Sequence, residues 1–192
     1  MSSIFSDPLF RRGTTLLSGE AIELDSAGAP IAGGEVVGQV KVFSDVVPTG
    51  RGERNSNRLV YCVAARYKGS TVSDASTVAG EVYAFDDAAP LTEFTSKATS
   101  ANVDAGKVVG VLDEYLTGQL RQNDIVWLVV KGPCKVKQTA AAINAGAAVK
   151  VSATAGSAAA TGSTKSIGLQ IAGAASAASV GLTRVNLVSD AI

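Results

Sequence analysis

The chain has 192 residues, enough for one sizeable core or two small β units. Apolar residues make up 46% of it, which excludes disorder as its default state, but aromatics are only 5% and Ala and Val carry most of the rest. Lys and Arg balance Asp and Glu at 17 each, without the basic excess of a free-standing nucleic-acid binder.

Such a composition predicts a thin core of small residues, and 20 glycines suit a protein built of turns and bulges. A near-neutral surface suits a chain that ends in a permanent assembly. Two cysteines, Cys62 and Cys134, are too far apart in sequence to read as a disulfide framework, and they are expected to be small buried hydrophobes. No apolar run reaches the ~18 residues of a membrane span. The start, MSSIFSDPLFRRG, lacks the basic-then-apolar order of a signal peptide. The expectation is a protein made and used in a reducing cytoplasm, or exported only by cell lysis.

Residues 1–20 read as an extended arm. Pro8 blocks a regular helix around it. Ile4, Phe5, Leu9 and Phe10 stand beside Arg11 and Arg12 outside any clear period. Such a segment is either a frayed tail or a strap lying on a neighbour. Two of only five phenylalanines fall in it, which favours the strap.

From Ile31 the signals become β. Strands are expected at Glu35–Phe43 (EVVGQVKVF), Arg58–Tyr67 (RLVYCVAARY) and Val78–Phe85 (VAGEVYAF). The polar break at Pro48–Asn57 leads into a basic loop, in which Arg51, Arg54 and Arg58 are either solvated or touch a partner. Asp86–Asn102 holds turn residues and little pattern. Lys107–Leu112 (KVVGVL) is again β-like. Asp124–Val130 (DIVWLVV) is the strongest apolar run, and its β-branched content favours a buried strand containing Trp127. A turn at Lys131-Gly132-Pro133 would return Cys134–Lys137 as a hairpin. Short strands follow at Val149–Ser152, Ile167–Ile171 and Arg184–Val188. Helix is confined to Asp113–Arg121, which Gly118 weakens, and to Thr139–Ala142. The fold class is therefore mainly β: a small β-barrel or β-sandwich with long loops, little helix and the N-terminal arm. Its divisions are 1–20 (arm), 21–104 (N-terminal β region) and 105–192 (C-terminal β module), the last two forming either separate units or one continuous domain.

A weak internal echo accompanies these strands. Gly34-Glu35-Val36-Val37-Gly38 resembles Gly106-Lys107-Val108-Val109-Gly110, and Ser166-Ile167-Gly168 is a shorter version. Each precedes a Val/Leu-rich segment, as if a strand, a close-approach glycine, a loop and a pairing strand recurred. Chance in a Gly- and Val-rich chain explains the echo as readily as duplication does.

Catalytic chemistry has little to work with. Histidine is absent, which removes the commonest general base and any Ser-His-Asp arrangement. The carboxylate pairs Asp86-Asp87 and Asp113-Glu114 sit in turn-like segments and read as solvated turns or a helix start. No phosphate-cradling glycine motif is present. No catalytic residue, cofactor or metal site is assigned.

The C-terminal half carries a resemblance. Asp124–Gly132 (DIVWLVVKG) leads into Cys134–Lys137 (CKVK). Ala142–Val149 (AINAGAAV), Ser152–Gly156 (SATAG), Ile167-Gly168, Ala174–Ala178 (AASAA) and Arg184–Leu187 (RVNL) then follow. Over roughly residues 105–190 this order is similar to the C-terminal module of tailed-bacteriophage head decoration (capsid cement) proteins. Gln170 stands where that family's I-G-x-A strand has Ala. The resemblance implies a non-enzymatic virion protein on the capsid exterior, made in the host cytoplasm. Its partners would be the major capsid protein and itself, as a homotrimer, with no nucleic acid and no membrane. The I-G-x-A strand would pair with the last V-x-L strand. On this reading Ile4, Phe5, Leu9 and Phe10 anchor the arm while Arg11 and Arg12 meet carboxylates. A tail, neck or fibre-base protein, or a small ligand-binding barrel or enzyme, are the alternatives.

Overall fold

A computed structural model describes residues 37–46, 55–86, 92–114, 116, 118–139, 143–171 and 180–186. Its strands are β1 (Val40–Val46), β2 (Asn55–Tyr67), β3 (Val82–Phe85), β4 (Glu93–Lys97), β5 (Val109–Leu112), β6 (Ile125–Lys137), β7 (Ala148–Val151), β8 (Ala158–Ala159), β9 (Ser166–Gln170) and β10 (Val180–Asn186). A short helix, α1, spans Ser100–Asp104. The fold is mainly β with little helix, as composition and alternation predict.

The strands hydrogen-bond in the order β1-β2-β4-β3-β5-β6-β10-β9-β7-β8, and β2 also pairs with β6. That extra pairing closes β2, β4, β3, β5 and β6 into a small barrel, which removes its sheet edges. β2 meets β4 in parallel at Arg66↔Glu93 and Tyr67↔Phe94, and meets β6 antiparallel from Tyr61↔Lys131 to Arg66↔Ile125. β2 belongs to the expected N-terminal region and β6 to the C-terminal module, so strands of both build one ring. The far half of β6 pairs with β10, and β10, β9, β7 and β8 complete a small second sheet.

Two buried clusters occupy the two faces of the ring strands. One holds Val63, Ala65, Tyr67, Tyr83, Phe85, Phe94, Leu112, Val126, Leu128 and Val130, with Ala75, Val78, Leu116 and Leu120 from the connections. The other holds Val60, Cys62, Ala64, Val82, Ala84, Val109, Val111, Ile125, Trp127 and Val129, with Val149, Val151, Ala158 and Ile167 from the second sheet. A second sheet cannot fit inside five strands, so the cluster it shares lies outside the ring and the aromatic-rich cluster fills it. The small-residue core expected from composition is thus the outer one. The inner one contains an aromatic trio: the Tyr83 and Phe94 centroids are 5.1 Å apart, and Tyr67 lies 5.3 Å from Phe94. Trp127 is buried on the outer face opposite Ala64, whose size leaves it room.

Several expectations need correction. No hairpin forms at Lys131-Gly132-Pro133; β6 runs straight through to Lys137. Gly132 makes this possible, because its φ is +112° and an added Cβ would lie 2.5 Å from the Leu59 carbonyl oxygen. Beyond Lys131 β2 no longer pairs with β6, so Pro133 falls where only β10 is a laddered neighbour. The Asp113–Arg121 helix is absent from its described residues: Leu120 instead bridges to Val72, and Gly118 has φ +80°. β4 lies inside the stretch Asp86–Asn102 expected to be turns, and α1 begins in it. The Thr99 N–H starts α1 by donating to the Asn102 Oδ1 at 2.7 Å. In the Thr139–Ala142 helix, residues 140–142 lie outside the described residues.

Candidate docking surface

β2 supplies both ring and surface. Its odd-numbered side chains share one face. Val63, Ala65 and Tyr67 point into the ring and are buried. Leu59 and Tyr61, on the same face, lie toward the end where β1 rather than β4 is the neighbour. The register Val42↔Tyr61 and Val40↔Val63 puts Val42 and Val40 on that face too. Leu59 is 55% exposed, Val42 44% and Val40 42%, with Tyr61 half-buried beside them. The opposite face of the same segment carries Val60 and Cys62, both buried in the outer cluster. An apolar strip is therefore carried by a strand pair in which the back of β2 is anchored in the core.

Lys131 marks the inner end of the strip. Its Nζ lies 5.3 Å from the centre of the Tyr61 ring, within cation–π range. The ring is thereby oriented without being buried. Val108 and Leu169, the other large apolar residues among those described as exposed, stand on other strands or turns. Scattered exposed apolar residues are ordinary; Val40, Val42 and Leu59 differ in standing together on one face of one strand pair.

A second cluster of chemistry sits where the barrel meets the second sheet. Glu81, just before β3, is 3% exposed. Its Oε2 lies 2.8 Å from the Lys97 Nζ and its Oε1 lies 2.7 Å from the Lys137 Nζ. Lys137 also donates to the Thr77 carbonyl at 3.2 Å. Gly156 packs over the carboxylate at φ +78°, while its backbone bonds to Val82 and Ala98. Burial and the nearby Glu81 charge push the Tyr83 hydroxyl well above the usual tyrosine range, and the same two causes raise Tyr67. Both phenols stay neutral and act as packing groups; Tyr67 donates to the Ser70 carbonyl at 2.8 Å. Glu81 therefore joins β3, β4, β6 and the 152–157 turn at one ionic point. Its two oxygens are each held by a lysine, the arrangement of a structural tie.

The remaining candidates from sequence separate clearly. Ile4, Phe5, Leu9, Phe10, Arg11, Arg12, Arg51 and Arg54 lie outside the described residues. Arg58 lies in β2, next to Leu59. Asp86 accepts the Thr95 hydroxyl at 2.8 Å, and Asp113 is buried. Among the described residues no three Cys, Asp or Glu side chains gather as a metal-ligand set. Cys62 and Cys134 are both buried thiols.

No family model, curated protein or solved structure matches this chain. The strip was not singled out by sequence, because valine falls on both faces of β2, at Val60 and Val63, and nothing local marks which of them leaves its face open. Only the register and the point of ring closure tell which valines are left outside.

Proposed function

We propose that this protein is a non-enzymatic structural component of a tailed-phage virion. It decorates the capsid exterior and stabilises contacts between capsomers. The observation that carries this reading is the Val40–Val42–Leu59 strip, an apolar surface built on the β1–β2 strand pair and facing solvent. The resemblance of residues 105–190 to head decoration proteins supports the capsid as the assembly. The mechanism is burial of surface rather than reaction. Each Å² of apolar area removed from water contributes about 25 cal/mol. Many copies acting together turn modest contacts into a shell that is hard to open.

Copy number tests the reading. In particles purified from cells that produce the chain, quantitative mass spectrometry is expected to find hundreds of copies per head. A handful of copies would place the chain in the tail or neck instead, and none would remove it from the virion.

A further inference from the structure

The strip is too small to hold a folded partner by itself. Val40, Val42 and Leu59, each about half exposed, with part of Tyr61, offer on the order of 200–300 Å², against about 800 Å² per partner in a stable interface between folded proteins. An extended segment fits such a surface better. Four residues along β1 separate Val40 from Ser44, whose cross-strand partner is Leu59, so the strip runs about 13 Å.

The chain itself contains a segment of matching chemistry. In extended form Phe5 and Leu9 share a face and stand four residues apart, again about 13 Å. Pro8 between them lacks an N–H and favours an extended backbone, which suits lying across a sheet face rather than joining its ladder. Residues 11–36 connect this segment to the strand pair and reach about 90 Å when fully extended, enough to bridge to another molecule. Among the described residues none packs over the strip.

We propose that the strip seats Ile4–Phe10 of a neighbouring copy, with Phe5 and Leu9 packing on Val40, Val42 and Leu59. The contact is head-to-tail, so each copy gives one arm and receives one. Such a contact closes only as a ring of copies. This rests on reading the strip as a docking surface and names its partner. The test uses isolated protein, so it can fail while the capsid assignment stands, and the reverse.

Sedimentation equilibrium of the full chain at micromolar concentration is expected to give a closed oligomer. Phe5→Asp in the arm and Leu59→Asp in the strip should each shift it to monomer, with the far-UV dichroism unchanged and the urea midpoint equal to that of wild type at a dilution where both are monomeric. Mixing Phe5→Cys chains with Leu59→Cys chains under mild oxidation should yield a disulfide-linked heterodimer, since the native thiols are buried. A wild-type chain that stays monomeric would overturn the proposal. So would a Leu59→Asp chain that stays oligomeric, or a mixture that forms no heterodimer. If a chain carrying both cysteines closes only on itself, the arm folds back on its own strip and exchange is wrong.

Discussion

The two ends of β2 differ in a way that alternation alone does not encode. At one end Val63, Ala65 and Tyr67 are buried inside the ring; towards the other, Tyr61 is half-buried against the same cluster and Leu59 stands in solvent. Sequence period and side-chain type are alike at both ends. What differs is the neighbour: β6 flanks β2 from Tyr61 to Arg66 and β4 joins it at Arg66 and Tyr67, whereas Leu59 is laddered to β1 alone. Ring closure, not hydrophobicity, divides core from surface along this strand. The residues left outside are the ones with capacity to bind something else.

Substitutions can break or sharpen that contrast. The largest effect is expected inside the ring. Phe94→Ala removes a fully buried ring from the aromatic trio and should cost about 3–5 kcal/mol, read as a lower urea midpoint. Gly132→Ala attacks the close approach of β6 to the outer end of β2. A Cβ there meets the Leu59 backbone at a φ of +112°, and the strain should cost about 1–3 kcal/mol in the same assay. Glu81→Gln leaves Lys97 and Lys137 facing a neutral amide. Both lysines keep more than a third of their side chains in water, so the loss should be smaller, about 1–2 kcal/mol. At the surface end, Leu59→Ala should change stability by no more than about 0.5 kcal/mol, because little burial is lost.

The smallest effect is a pH dependence remote from β2. Asp104 at the end of α1 accepts the hydroxyl and the N–H of Thr164, both at 2.7 Å. These bonds hold its carboxyl below the ordinary value of 3.8, against slight desolvation and with help from Lys150 and Lys165. A depressed carboxylate favours the folded state above the unfolded value, and that contribution disappears as pH falls through the folded one. Wild type should therefore exceed Asp104→Asn slightly in urea midpoint at neutral pH. The gap should close as pH drops below about 4. A gap that persists at the acid end would show that the Asp104–Thr164 bonds are not its source.

Much of the fold is legible in the sequence. The Val-rich segments at 58–67, 107–112 and 124–130 are strands because β-branched residues fit a pleated, half-buried surface. The weak glycine echo falls ahead of or within β1, β5 and β9, each antiparallel to the strand that follows it. Gly110 shows the physical need: a Cβ there would lie 2.9 Å from the Leu128 Cβ on β6. The β9–β10 pairing joins Gly168 to Val185 and Gln170 to Thr183.

What stayed hidden depended on distant partners. Glu93–Lys97 has one buried apolar side chain, Phe94, and is a strand because β2 and β3 lie beside it. Gly132-Pro133 has turn chemistry, but the β10 ladder carries β6 through it. Glu81 has no local motif to mark it, since Lys97 and Lys137 reach it only in the folded chain. The strip was invisible for the same reason. Leu59 has the period of a core residue and lacks only a neighbour.

The central claim is that Leu59 belongs to a docking surface and not to the core. The direct test is the occupancy of purified particles by Leu59→Asp relative to wild type, with the urea midpoint of each protein measured alongside. The account predicts a midpoint unchanged at a dilution where both proteins are monomeric, and occupancy reduced at least tenfold, which corresponds to about 1.4 kcal/mol or more of lost contact. Wild-type occupancy, or a midpoint that falls as far as that of Phe94→Ala, would contradict it.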